Sequence, residues 1–172
     1  MAILSAQTIR ERVSAYTARR ARAGGGELLS VSSGELVISP FAERSRSNGR
    51  SYGLSACGYD VRLAQDIWLW PFWGRLGSIR EHLRLPPDLC ARVLDKSTNA
   101  RCFIFVQNTI IEPGWHGYLT VELTRILPWP VRLRAGTPIA QIVFETLDQA
   151  TDQPYAGKYQ GQAAGPQVAR FE

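Results

Sequence analysis

A mainly β fold, arranged as one small barrel or sandwich, is predicted by three observations on this 172-residue chain. Short candidate strands separated by Gly and Pro follow one another from Tyr59 onward, at the spacing typical of all-β domains. A helical pattern occupies only the beginning of the chain. The length and the 45% of apolar residues suit a single hydrophobic core and disfavour a mainly disordered protein.

An N-terminal helix is predicted over residues 5–22. Ile9, Val13 and Tyr16 recur at helical spacing, and Ser5 can cap the first turn. The opposite face is basic, which is more typical of a solvated surface than of a nucleic-acid interface. Its arginines are Arg10, Arg12, Arg19, Arg20 and Arg22.

The middle of the chain is predicted to consist of short extended segments. A glycine run at 24–26 is expected to end the helix, and a short strand is expected at 35–38. Residues 45–51 have the composition of a loop. The remaining strands are predicted at 59–63, 67–70, 90–94, 102–106, 109–111, 118–124, 130–134 and 139–146.

The C-terminal segment, residues 149–172, differs in composition from the strands before it. It is polar and rich in Gly, Gln and Ala, so we expect an arm that becomes ordered against a partner subunit or a ligand. Residues 1–172 are therefore interpreted as a single domain with a barrel at about 35–148.

Charge and hydropathy limit the classes of binding partner but do not identify one. The formal charge of +5 admits nucleic acid, a membrane surface or nucleotide phosphates. Only two of the 20 basic residues are lysines, Lys96 and Lys158. The longest apolar run, residues 67–73, is far shorter than the roughly 20 residues that span a bilayer.

The cysteines and the first residues of the chain indicate the cellular compartment of the protein. Residues 1–5 lack the basic and apolar regions of a secretory signal. Cys57, Cys90 and Cys102 are odd in number and form no CxxC pair, so no disulfide framework is expected. These patterns predict a soluble protein of the cytoplasm, or of the host cytoplasm for a viral protein.

Several kinds of catalytic site are disfavoured by missing motifs. The HxE…PCxxC set of zinc deaminases does not occur, nor does a GxxxxGK[ST] phosphate loop. The two histidines, His82 and His116, stand at no metal-ligand spacing. Carboxylates and arginines are therefore the groups expected to carry any catalysis.

Three segments hold candidate functional residues. In strand 118–124, Glu122 shares a polar face with Thr120, while Val121 faces the other side of the strand. By composition alone, Glu122 is interpreted as a glutamate that faces solvent. The cluster DKSTNAR at 95–101 can hold phosphate oxygens or form an ordinary polar turn with an Asp95–Arg101 pair. In the turn at 112–117, Trp115 can stack on a ring or cover the core.

The chain carries an ordered series of motifs: GYDVRL at 58–63, DKSTNAR at 95–101, IEPGWHGYLTVEL at 111–123 and GTPIAQIVF at 136–144. A tail with Tyr155, Lys158, Tyr159 and Gln162 follows. In order and spacing these motifs resemble the dCTP deaminase family of the dUTPase superfamily. The resemblance implies a distorted, jelly-roll-like β-barrel and a homotrimer with active sites at subunit interfaces.

The resemblance also implies a reaction, the hydrolysis of dCTP to dUTP and ammonia, which supplies dUTP for dTTP synthesis. No zinc is involved in the family, and Mg²⁺ is bound through the triphosphate rather than by protein ligands. Glu122 matches the catalytic glutamate, and Ser97 and Arg101 match residues that hold the water and stabilise the charged intermediate.

Substrate contacts follow from the same match. Trp115 would pack on the deoxyribose, the backbone from Thr109 to Glu112 would read the cytosine edge, and Thr120 and Val121 would flank the base. The nucleotide contacts implied for the phosphate turn, the late strand and the tail are Lys96, Ser97, Thr98, Arg101, Gln141, Tyr155, Lys158 and Gln162. Inhibition by dTTP is left open.

Two other functions remain open. A dUTP pyrophosphatase, or a bifunctional enzyme that also releases pyrophosphate, would use Glu112 to activate water near the α-phosphate. A non-catalytic trimeric binding protein on the same fold is disfavoured by the presence of Glu122, Ser97 and Arg101. The tryptophan-rich segment at 68–73, and Arg125 and Asn99, depart from the family pattern.

Overall fold

A computed structural model describes residues 2–23 and 30–171. The predicted glycine end of the first helix, at 24–26, lies outside the described residues. The helices are α1 (Ala6–Arg22) and α2 (Ser97–Ala100). The strands are β1 (Val37–Ser39), β2 (Ser45–Ser47), β3 (Arg50–Ser55), β4 (Gly58–Arg62), β5 (Ile67–Leu69), β6 (Arg75–Arg84), β7 (Leu89–Asp95), β8 (Ile104–Val106), β9 (Ile110–Ile111), β10 (His116–Arg125), β11 (Val131–Leu133) and β12 (Pro138–Thr146).

The strands form two antiparallel sheets that share one core. One sheet has the order β1-β6-β10-β8, the other the order β2-β3-β4-β12-β7-β9, and β5 pairs with β11 separately. Tyr59, Ile79, Leu123 and Phe144, which come from both sheets, are fully buried in the common core. The prediction of a mainly β fold with a single core is confirmed.

The N-terminal helix is confirmed as predicted. The hydroxyl of Ser5 accepts a hydrogen bond from the backbone N–H of Thr8, which caps the first turn, and Ile9, Val13 and Tyr16 are the buried positions of α1. Three arginines of the basic face pair with carboxylates of the body, whereas Arg22 is exposed, as expected of a solvated face. Its ion pairs are Arg10–Glu43, Arg12–Asp88 and Arg19–Glu35.

The expectation of a loop at 45–51 is wrong. Strands β2 and β3 form a hairpin with Ser47 opposite Arg50. The connecting residues, Asn48 and Gly49, have φ values of 48° and 74°, the backbone of a type I′ turn. Asn-Gly is the strongest short signal for such a hairpin, and it outweighs the weak strand propensity of the surrounding serines.

Strand β6 and helix α2 were not expected. In β6 the buried positions Ile79, Glu81 and Leu83 do alternate, but a carboxylate stands where the pattern calls for an apolar residue. Helix α2 has a single turn, which is too short to show helical periodicity. The strand predicted at 102–106 begins only at Ile104, because the residues before it close the turn that follows α2.

The C-terminal arm lies against its own chain, whereas a partner or a ligand was expected to order it. Backbone N–H groups of Tyr155 and Gly161 donate to the carbonyls of Pro113 (2.8 Å) and His116 (3.0 Å). A parallel bridge then joins Gln162 to Gly117 at the start of β10. The β10 edge supplies the hydrogen-bond partners that the arm lacks within itself. No helix in the described part of the chain is long and apolar enough to cross a membrane.

Candidate active site

The arm and strands β9 and β10 enclose a cleft of about 470 Å³, here called the arm cleft. Glu122 projects from β10 into this space, and Trp115 forms part of the wall. Seven of the predicted site residues line the cleft together: Thr109, Glu112, Trp115, Thr120, Glu122, Tyr155 and Gln162. One chain thus assembles the predicted catalytic carboxylate and most of the residues predicted to surround the base.

Glu122 is half-buried and has no ion pair with any described residue. Its neighbours along the strand, Val121 and Leu123, face the core, as the alternation predicts. Its backbone carbonyl accepts a hydrogen bond from the N–H of Gln107 at 3.0 Å, which fixes the strand at this point. Burial raises the pKa of the Glu122 carboxyl above its usual value, and a carboxyl so placed suits proton transfer in both directions.

The strict alternation of β10 fails at one point. The register between β10 and β6 shifts between Tyr118 and Thr120. Leu119, expected on the core face, therefore lines the arm cleft together with Thr120 while also packing against the core. Val121 remains on the core face with 1% exposure, so only its backbone can approach a ligand in the arm cleft.

The arm is held over the cleft by side chains as well as backbone. The indole N–H of Trp115 donates to the carbonyl of Tyr159 at 2.8 Å, and Trp115 is itself part of the core. The backbone N–H of Thr120 donates to Gln162 Oε1 at 3.3 Å, and Thr120 Oγ1 accepts from the N–H of Gln167 at 2.9 Å. Trp115 therefore covers the core, which is one of the two roles that the sequence left open, and it also lines the cleft. Its stacking on a ring stays a prediction.

Gln160 is a site-forming residue that sequence reasoning missed. Its Oε1 accepts from the N–H of His116 at 2.9 Å, and its Nε2 donates to the carbonyls of Gly114 and Tyr155, each at 2.9 Å. The amide thus fastens the arm to the turn that carries Trp115. Gln167 was missed for the same reason, and Tyr159 was noted only as part of the tail motif, because an irregular segment has no periodicity to show which side chains face inward.

The other predicted site residues lie outside the arm cleft of the same chain. Ser97, Thr98 and Arg101 are exposed on α2 and just after it. Arg101 donates to the backbone carbonyl of Ser97 at 3.4 Å. The Asp95–Arg101 pair of an ordinary turn does not occur among the described residues, and Asp95 Oδ1 instead accepts from the N–H of Val106 at 2.8 Å.

Lys96 and Gln141 are engaged within the fold. The Lys96 ammonium is buried in an ion pair with Asp60, and it also reaches Ser51 Oγ at 3.4 Å. Burial raises the pKa of Asp60, and the Lys96 ammonium opposes that shift. The Lys96 side chain is thus engaged with Asp60 within the fold, and its expected phosphate contact stays a prediction. Gln141 donates to Ser55 Oγ at 3.0 Å.

Lys158 lies on the exposed part of the arm. Its ammonium is 5.7 Å from the centre of the Tyr159 ring, and it is absent from the described lining of the arm cleft. The described residues contain no group of three or more His, Cys, Asp or Glu side chains able to hold a metal ion. Binding of Mg²⁺ through a nucleotide remains a prediction.

Comparison with solved structures places this architecture in the dUTPase-like class. A dUTPase of Staphylococcus bacteriophage 80alpha superimposes with a TM-score of 0.54 at 15% identity, over 80% of this chain and 97% of that one. The 2'-deoxycytidine 5'-triphosphate deaminase of Agrobacterium tumefaciens gives a TM-score of 0.52 at 18% identity. It is matched over 77% of this chain and 47% of that one. These similarities establish the fold.

Sequence comparison then identifies the family within that class. A family model described as dCTP deaminase-like matches residues 3–147. The dCTP deaminase of Granulibacter bethesdensis is 33% identical, over 77% of this chain and 90% of that protein. The dCTP deaminase of Roseiflexus castenholzii is 35% identical, over 73% and 86%. The chain belongs to the dCTP deaminase-like family.

Proposed function

We propose that this chain hydrolyses dCTP to dUTP and ammonia and that Glu122 is the general acid–base of the reaction. The observation that carries the proposal is a half-buried carboxyl of raised pKa, without an ion pair among the described residues, at the wall of the arm cleft. Membership of a family whose named relatives are dCTP deaminases supplies the substrate.

The chemistry requires such a group. Water is a weak nucleophile, so Glu122 takes a proton from it as the new C–O bond forms at C4 of cytosine. The C–N bond breaks only when the amine leaves as ammonia, so the same carboxyl returns a proton toward the ring or the leaving nitrogen. General acid–base catalysis of this kind typically contributes about 10²–10⁴-fold to the rate.

The remaining arm-cleft residues bind the nucleoside in this proposal. Trp115 packs on the deoxyribose, the backbone between Thr109 and Glu112 reads the cytosine edge, and Thr120 and the Val121 backbone flank the base. Tyr155 and Gln162 close the site with the arm. These roles are supported by the shared cleft and by the hydrogen bonds that join the arm to β10.

Ser97 and Arg101 stabilise the charged intermediate in this proposal. Thr98 and Gln141 contribute to nucleotide binding, and Lys158 contacts the nucleotide from the arm. Their position away from the arm cleft of their own chain supports a homotrimer in which two subunits complete each site. Mg²⁺ would enter bound to the triphosphate, with no zinc. The enzyme would act in the cytoplasm and supply dUTP for dTTP synthesis.

Product analysis tests the proposal directly. Purified protein with Mg²⁺ and dCTP is expected to yield dUTP and ammonia in equal amounts by ion-exchange chromatography and an ammonia assay. Retention of the nucleotide without any product would support the non-catalytic binding protein instead. Absence of both binding and product would overturn the proposal.

A second activity has one observation in its favour. Glu112 is an exposed carboxylate that lines the same cleft as Glu122, so a second water could be activated there. Incubation with dUTP separates the two enzymes. Persistent dUTP identifies the monofunctional deaminase, whereas dUMP and pyrophosphate identify a bifunctional enzyme or a pyrophosphatase.

A further inference from the structure

A second cleft, of about 500 Å³, lies beside the β2–β3 hairpin and is here called the hairpin cleft. Three arginines line it, Arg44, Arg46 and Arg50, together with Ser51 and Thr98. The family match assigns a role to Thr98 alone among these residues. The hairpin arginines are therefore cationic groups that the proposed deamination leaves unexplained.

The hairpin is held in place by its turn and by its neighbours. Asn48 Nδ2 donates to the carbonyl of Ala135 at 3.3 Å and to Thr137 Oγ1 at 3.1 Å, which anchors the turn to the segment before β12. Arg46 lies directly opposite Ser51, so their side chains share one face of the hairpin. The cleft is consequently built on paired strands rather than on a free loop.

The arginines of the hairpin cleft form no ion pair within the part of the chain that the structure describes. Arg44, Arg46 and Arg50 have no hydrogen bond or ion pair from their side chains there. The nearby carboxylates are already engaged, Glu43 with Arg10 through two contacts of 2.6 and 2.9 Å, and Asp60 with Lys96. The hairpin cleft therefore concentrates three arginines that form no ion pair among the described residues, and of these Arg44 interacts electrostatically with Asp60.

Arg50 adds an independent sign of a missing partner. Its Nε atom is buried and has no hydrogen-bond acceptor. Leaving a buried donor unsatisfied is costly, so this atom lacks a partner that the described residues do not supply. Guanidinium groups also match phosphate oxygens with paired, charge-assisted hydrogen bonds.

The lining identifies the chemistry of the anion. Serine and threonine hydroxyls and the Gly49 backbone accompany the arginines, and no aromatic side chain lines this cleft among the described residues. Single-stranded nucleic-acid sites combine cations with aromatic stacking platforms, so a small polyanion fits this lining better. Thr98 connects the hairpin cleft to the phosphate turn at 96–101.

We propose that the hairpin cleft binds a polyphosphate group through Arg46 and Arg50, with Ser51 and Thr98 as neutral donors. Its assignment to a deoxynucleoside triphosphate rests on the proposed function, whereas binding of inorganic polyphosphate does not. The group can come from the substrate or from a second, regulatory nucleotide, and the same phosphate chemistry serves both.

Isothermal titration of the full chain with inorganic tripolyphosphate tests the site itself. Arg46→Gln and Arg50→Gln are each expected to weaken binding about tenfold, because each removes a charge-assisted donor, and the double variant is expected to weaken it further. Arg80→Gln removes the same charge from an exposed position on β6 outside the cleft and is expected to bind as the unmodified chain does. Circular dichroism melting of each variant verifies folding.

Steady-state kinetics with dCTP then identify the source of the polyphosphate. An increase in KM with unchanged kcat in the Arg46 and Arg50 variants assigns the cleft to the triphosphate of the substrate. Unchanged dCTP kinetics with lost tripolyphosphate binding assign it to a second nucleotide. Equal tripolyphosphate binding by the double variant and the Arg80 variant, or tighter binding of a single-stranded oligonucleotide than of tripolyphosphate, would overturn the proposal. Lost deamination with intact tripolyphosphate binding would instead count against the proposed function alone.

Discussion

Glu81 on β6 and Glu122 on β10 stand on adjacent strands of one sheet, and burial raises the pKa of both carboxyls. Glu81 is fully buried and receives two hydrogen bonds from Arg62, from the backbone N–H at 2.9 Å and from Nε at 2.7 Å. The Arg62 guanidinium also lies 4.1 Å from the centre of the Tyr52 ring. Glu122 is half-buried in the wall of a cleft and has no ion pair with any residue that the structure describes.

The difference teaches that burial alone does not make a reactive acid. A carboxylate whose oxygens are occupied by a buried guanidinium is held in one position and is not available to a ligand. A carboxylate at the wall of an open cleft, with its oxygens unpaired by charge, can exchange a proton with a ligand. We therefore expect substitutions of Glu81 to change stability and substitutions of Glu122 to change activity.

The largest expected effect is the loss of catalysis in Glu122→Gln. The amide keeps the shape but cannot accept a proton from water, so kcat for dCTP should fall about 10²–10⁴-fold. Nucleotide binding by titration calorimetry and the unfolding midpoint in urea should stay close to those of the unmodified chain. Full activity in this variant would remove Glu122 from the chemistry.

Glu81→Ala should have the opposite profile. It leaves the Arg62 guanidinium buried and unpaired, which typically costs about 3–5 kcal/mol of unfolding free energy. Urea denaturation followed by tryptophan fluorescence measures this loss. Glu43→Ala, which breaks the exposed pair with Arg10, is the matched control and should leave the midpoint unchanged. Equal effects of the two variants would show that burial does not distinguish the pairs.

The pH dependence of activity should reveal the raised pKa of Glu122. The carboxylate form accepts the proton from water, so kcat/KM should decrease about tenfold per unit as the pH falls below that pKa. Since burial moves the pKa upward from 4.5, this decrease should begin above pH 4.5. Circular dichroism over the same range excludes acid unfolding as the cause. A decrease that begins only below pH 4.5 would contradict the assignment.

A smaller effect is expected where the arm meets the cleft. Trp115→Phe keeps an aromatic ring but removes the indole hydrogen bond to the Tyr159 carbonyl. Loss of one such bond costs about 1 kcal/mol, so KM for dCTP should rise about fivefold with kcat nearly unchanged. Trp129→Phe, at a 60% exposed position, is the control. Identical KM values in both variants would mean that this bond does not hold the arm in place for substrate.

The sequence predicted the parts of the molecule that follow local patterns. The alternation around Glu122 identified β10 and the face on which the carboxylate lies. Ser5 and the helical spacing after it identified α1. Asn48-Gly49 is the usual signature of a type I′ hairpin, whereas the serine-rich composition around it is typical of a loop.

Other features depend on tertiary packing and had no local signal. Strand β6 was obscured by Glu81, whose burial makes sense only once Arg62 is placed beside it. Lys96 resembles a phosphate ligand in sequence, and its pairing with Asp60 spans 36 residues. The hydrogen bonds of Gln160 likewise join segments that no periodicity relates.

The contact between Gly117 and Gln162 has a consequence for engineering of the arm. A β-carbon at position 117, where φ is +141°, would lie 2.6 Å from the Gln162 backbone nitrogen and 2.8 Å from its carbonyl oxygen. A single methyl group would thus displace the last part of the chain while leaving the barrel core intact. Replacing glycine at this position therefore offers a one-residue means of releasing the arm.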